Sequence, residues 1–125
     1  MSLMKFSISN IDALREQLYY SQVHDAEMIG YRFHNATLIM ELLNAVQNVR
    51  ILIRFEDIVT IQYRHGGEYG DSGTVLSLTV EDGVQGEDVN YDNPNEVPLY
   101  LLFQMLSADE LLIGAKTVSF ENTPI

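Results

Sequence analysis

Asn48-Val-Arg-Ile-Leu-Ile-Arg-Phe-Glu-Asp-Ile-Val-Thr-Ile-Gln-Tyr-Arg64 is the stretch whose reading decides the fold. Val49, Ile51, Ile53 and Phe55 alternate with Arg50, Leu52 and Arg54, the period-two pattern of a strand with one buried face. After Glu56-Asp57 the apolar residues resume at Ile58, Val59, Ile61 and Tyr63. That interruption moves the inward-facing set by one residue, as a β-bulge or bend does. Two sheets packed face to face need such corners.

Upstream, Thr37 to Leu43 puts Leu38, Met40 and Leu42 inward and Glu41 outward. Asn35-Ala36 reads as a hairpin turn joining it to Ala26 to His34, where Ile29, Tyr31 and Phe33 share a face. Ser9 to Tyr20 reads as the one helix. Ile11, Leu14 and Leu18 form its apolar face, Ser9 or Asn10 supplies the N-cap, and Asp12 and Glu16 favour its N-terminal half. Lys5 to Ile8 reads as a short extended lead-in.

Downstream, Thr74 to Glu81 is a strand with Leu76, Leu78 and Val80 on one side and Ser77 and Thr79 on the other. Pro98 to Leu106 is almost wholly apolar, as expected for a strand buried on both faces, with a short buried helix as the alternative. Leu111 to Glu121 follows. Its run Ile113-Gly-Ala115-Lys-Thr-Val118 echoes Ile53-Arg-Phe55-Glu-Asp-Ile58, a two-residue offset inside a strand, and suggests a repeated unit. No helix separates successive strands, so a βαβ parallel sheet is excluded. The expected class is mainly β (α+β): an antiparallel β-sandwich or partly open barrel with one N-terminal helix.

The 125 residues read as a single domain, 1–125, with Met1 to Leu3 a candidate appended remnant and 65–73 and 82–97 as exposed loops. Apolar residues make up 46%, ample for a core. With no Cys, disulfides and Cys-based zinc or iron–sulfur sites are excluded. No run approaches the ~20 apolar residues of a membrane span, and the expected location is cytoplasmic, with no membrane partner. The net charge is −11, and residues 65–125 hold eleven of the eighteen acids but only one base, Lys116. Such a half repels phosphate backbones, which disfavours nucleic acid, and attracts cationic proteins.

His24-Asp25-Ala26-Glu27 is the best-placed polar cluster, since an imidazole beside carboxylates suits metal binding or acid–base work. Adjacent strand residues point to opposite faces, so His24 and Asp25 do not share a centre if extended, whereas Asp25 and Glu27 do. The competing reading has Asp25 satisfying backbone N–H groups between helix and sheet. His34 and His65 read as loop residues, with Glu68 and Asp71 as further donors if a metal bound near them. Asp88-Val-Asn90-Tyr-Asp92 begins like a calcium loop, but Asn93 replaces the required Gly and Leu99 the required Glu. The loop from His65 to Gly73 lacks the Lys and following helix of a phosphate cradle. There is no Gly-x-Ser-x-Gly elbow and no serine with triad spacing. No cofactor, metal or catalytic residue is therefore assigned. Tyr69 and Tyr91, on acidic loops beside Glu68, Asp71, Asp88 and Asp92, suit an interface.

The run Tyr20 to Leu43, with His24-Asp25-Ala26-Glu27 leading into a strand, a turn and a second strand, resembles a class of small bacterial β-rich proteins. Those proteins also carry strands like Ile51-Leu-Ile-Arg-Phe-Glu-Asp-Ile58; the resemblance spans roughly residues 18–121. Some members of that class resemble immunity proteins encoded beside polymorphic toxins. The resemblance implies a non-catalytic protein that neutralises a basic partner. The alternatives are a metal-dependent hydrolase using His24, Asp25 and Glu27, and a self-associating subunit, a homodimer seamed along Pro98 to Leu106.

Overall fold

The computed structural model describes residues 5–20, 22–66, 74–81 and 97–125. In chain order the elements are β1 (Lys5–Phe6), a 3-10 turn (Ile8–Asn10), α1 (Ile11–Tyr20), β2 (Glu27–His34), β3 (Thr37–Asn44), β4 (Val49–Arg64), β5 (Val75–Glu81), β6 (Leu99–Met105) and β7 (Glu110–Pro124). All strands belong to one antiparallel sheet in the order β2-β3-β4-β7-β6-β5, with β1 added beside the C-terminal half of β7. The mainly-β, α+β class holds. The architecture is a single sheet curled on itself rather than two separate sheets. Among the described residues its two ends meet at the Glu27–Thr74 bridge and the adjoining bonds of Asp25 and Ala26 to Val75, and the barrel stays open along the rest of β2.

The alternation read in β4 is what builds the inner face. Leu38, Phe55 and Val118 lie in one cross-strand row, and Met40, Ile53 and Phe120 in the next. All six are buried. On the opposite wall β6 contributes Leu99, Leu101 and Phe103. Phe55 meets Phe103 edge-on across the interior with ring centroids 6.3 Å apart, and Phe6 meets Phe120 at 6.2 Å. The helix packs on β1 and β5 and sends Leu14 fully into this core, with Ile11 and Leu18 partly buried beside it. Its N-terminus is closed one turn earlier than expected. Ser7 is the N-cap residue, and its N–H donates to Asn10 Oδ1 at 2.6 Å, because the 3-10 turn precedes the α-helix.

The corner at Glu56-Asp57 is real, and it is double. Phe55 pairs with Val118 and Ile58 with Ala115, so Glu56-Asp57 lies opposite Lys116-Thr117. The echo between the two segments is thus no repeated unit: it is the two sides of one bend, matched across antiparallel strands. Asp57 takes a left-handed conformation (φ 56) to make it, and Val59 is then bulged out between Ile58 and Thr60. Past the bend β4 loses β3 as a neighbour, so Val59, Ile61 and Tyr63 are 45–63% exposed rather than buried.

Two other faces differ from the sequence reading for the same reason. A bulge between Val75 and Ser77 turns Leu76 outward, leaving Val75, Leu78 and Val80 toward the core. A bulge between Met28 and Gly30 displaces Ile29. Pro98 to Leu106 does form a strand, but β6 is paired on both sides, by β5 and β7. A dimer seam cannot run along its backbone.

Candidate functional site

Three groups of side chains stand out among the described residues, and the first is the His24-Asp25-Ala26-Glu27 segment. It ties the two ends of the curled sheet together. Asp25 N–H donates to Val75 O at 2.8 Å, Val75 N–H donates to Ala26 O at 2.8 Å, and His24 Nδ1 lies 2.5 Å from Leu76 O. Asp25 is left-handed (φ 68), which lets the chain reverse between helix and strand while Ala26 is fully buried. The hydrogen-bonded geometry extends to Asn44. Its buried amide donates to Gln22 O at 2.9 Å and accepts from Gln47 N–H at 3.1 Å. A shallow hollow of about 400 Å³ lies here, with His24 and Asp25 on its wall. His24 Nε2 faces Asp25 Oδ2 at 3.6 Å, while the Asp25 bonds to the sheet run through its backbone. With one imidazole nitrogen on a carbonyl, this segment works as a clasp.

The second group escaped the sequence reading. Asp109, buried in the turn between β6 and β7, accepts from the Tyr63 hydroxyl and from Gly66 N–H at 2.6 Å, and lies 2.9 Å from His65 Nδ1. These contacts hold its carboxyl below the usual carboxylate range, the Tyr63 hydroxyl first and the Gly66 N–H next, against the opposing effect of burial. Gly66 is required by close approach, since a Cβ there would stand 2.6 Å from the Ala108 carbonyl carbon. Nothing in the sequence distinguishes Asp109 from a solvated turn acid, because its partners come from 43 and 46 residues away. Stability contributed by this carboxylate is full above its ordinary pKa of about 4 and is lost as pH falls through the lowered folded value. Asp109→Asn is therefore expected to melt earlier than wild type at neutral pH, with a flatter loss of Tm below about pH 4. Melts across that range check it; parallel curves for the two proteins would count against the contact network.

The third group is the free edge of β2. Apart from the Glu27–Thr74 bridge, no described strand pairs with its outer side. Along it Ile29 is 47%, Tyr31 73% and Phe33 56% exposed. Tyr31 and Phe33 stand on the core side of the sheet, in register with buried Met40 and Leu38, but the edge overhangs the core and leaves them uncovered. At the tip of this hairpin Asn35 and Ala36 are both left-handed, as a type I′ turn demands. Ile58 N–H donates to Ala36 O at 2.9 Å, tying the tip to the exposed half of β4. Natural sheets blunt such edges with charge or cover. Here Gly30 inside a strand was the available sequence sign of the bulge that frees Ile29.

Of the residues singled out from sequence, His24 and Asp25 are brought together, and Glu27 begins β2 as an exposed residue. Glu68, Tyr69, Asp71, Asp88, Tyr91 and Asp92 lie outside the described residues, as do most of the two loops that carry them. Among the described residues no three His, Asp or Glu side chains converge as a metal site would require. No described helix is long and apolar enough to cross a membrane. Neither the protein-family models nor the curated proteins include a match to this chain.

Proposed function

We propose that this protein is a non-catalytic binding module that takes a partner polypeptide along the free edge of β2, and that the partner is a basic protein, as for an immunity protein. What supports the docking surface is the set of Ile29, Tyr31 and Phe33, three large apolar side chains exposed on a strand whose outer backbone groups, past the Glu27–Thr74 bridge, have no described sheet partner. An incoming strand would gain main-chain hydrogen bonds from the edge and seat its alternate side chains against the two aromatics. What supports a basic partner is the charge of −11, which speeds encounter with a cationic protein and makes it salt-sensitive. The hydrolase alternative has less behind it, because a His24 ring nitrogen is engaged by Leu76 O.

The test is recovery of a partner from the native host on immobilised wild-type protein and on Tyr31→Lys, at low and high salt. Wild type is expected to retain a basic protein at low salt only. A central aromatic at an interface carries about 2 kcal/mol or more, so the variant should bind roughly thirtyfold more weakly. Equal recovery by both proteins would remove β2 from the reading, and an acidic partner would remove the charge argument. A second copy is the competing occupant of the same edge. Light scattering at micromolar concentration detects it, and a dimer abolished by Tyr31→Lys would replace the heterologous partner.

A further inference from the structure

The outer face of the same hairpin carries a different chemistry. Arg32 of β2, Ile39 of β3 and Arg54 of β4 lie in one cross-strand row, so the two arginines flank Ile39 from either side. Two strand spacings separate them, roughly 10 Å between Cα atoms, a gap that two guanidinium arms close over the isoleucine. Both are exposed, and neither makes an ion pair among the described residues. Two other bases of the same sheet are each paired with a carboxylate: Lys5 with Glu56 at 3.1 Å and Arg50 with Glu41 at 2.9 Å. Arg32 and Arg54, with Phe33, His34, Asn35, Thr37 and Ile39, line a hollow of about 730 Å³, and its lining includes no carboxylate. Both arginines also line a smaller hollow with Glu121, which forms no ion pair with either.

Like charges placed two strands apart repel, and in a chain with eighteen acids for seven bases two neighbouring arginines that form no ion pair among the described residues stand out. Arginine forks match the oxygens of a phosphoryl group in pairs, and a ligand bearing two or more negative charges engages both at once. Thr37 and the Asn35 amide add neutral donors, while Ile39 provides an apolar floor. We propose that this hollow binds a small phosphoryl ligand through Arg32 and Arg54. A long polyanion is a poor fit, because the rest of the chain repels it. The hollow borders the β2 edge and shares Phe33 with it, but its charged groups, Arg32 and Arg54, stand in the row of Ile39 rather than in that of the edge aromatics, so Arg54→Gln on β4 tests it apart from the edge reading.

The probe is inorganic pyrophosphate, titrated at constant ionic strength while the arginine Nε–Hε signals are followed by NMR. In wild type two such signals are expected to shift together and saturate. Arg54→Gln should weaken the response about tenfold or more, as loss of a charge-assisted pair does. Arg50→Gln, outside the hollow, should leave it unchanged. Arg54 has no partner in the fold to lose, so the variant is expected to fold as wild type does, which its amide spectrum checks. A parallel titration with vesicles containing phosphatidic acid separates a free ligand from a lipid headgroup. No saturable shift with pyrophosphate, an equal response in Arg54→Gln, or a response to the vesicles alone would overturn the proposal.

Discussion

Phe55→Ala is expected to cost about 3–5 kcal/mol of folding stability, the largest loss foreseen for a single substitution in this chain. Phe55 is fully buried at the last inward position before the bend. It sits in register with Leu38 and Val118 and meets the Phe103 ring from the opposite wall. Truncation leaves a cavity that three walls of the curled sheet would have to collapse together to fill, and the bend pins two of them. Domains of this size are stable by roughly 5–15 kcal/mol, so the variant loses a large share of its margin. Urea denaturation should show a lower midpoint at unchanged slope. Phe33→Ala, the same chemical change at a residue 56% exposed on the free edge, should cost far less. If the two losses were alike, the inward and edge assignments of the two phenylalanines would be wrong.

Gly114→Ala should destabilise by about 1–3 kcal/mol through overpacking. Gly114 pairs with Thr60 on one side and Tyr100 on the other, in the middle of the sheet. A Cβ there would stand 2.7 Å from the Tyr100 ring and 2.8 Å from Thr60 Cγ2. The ring lies over the glycine, an arrangement in which an aromatic neighbour covers backbone that a side chain would otherwise shield. Removing the ring relieves its share of the clash, while the Thr60 contact stays. Tyr100→Ala combined with Gly114→Ala should therefore cost less than the sum of the single changes. Strict additivity in a double-mutant cycle would show that ring and glycine do not touch.

The legible part of this protein was the part written as periodicity. Alternation in Asn48 to Arg64 announced a strand with one buried face, and the break at Glu56-Asp57 announced its corner, because both are properties of consecutive residues. The echo at Ile113 to Val118 was visible too, but only pairing could say that it is the other half of the same bend. The His24-Asp25-Ala26-Glu27 segment drew attention by composition, whereas its bonds to Val75 and Leu76 depend on where the far end of the sheet arrives.

By itself, then, the sequence determined the strands, the helix, the antiparallel connectivity and the charge imbalance, all of which follow from local spacing and composition. Tertiary structure alone decided which apolar faces are covered. Ile29, Tyr31 and Phe33 carry the same alternation as Leu38, Met40 and Leu42, yet the first set is exposed and the second buried. The difference is position in the sheet, edge against interior. The same holds for Asp109 and for the Arg32–Arg54 pair: a buried carboxylate network and two neighbouring arginines are made by residues far apart in the chain, and only the curl and register of the strands bring them within reach of each other.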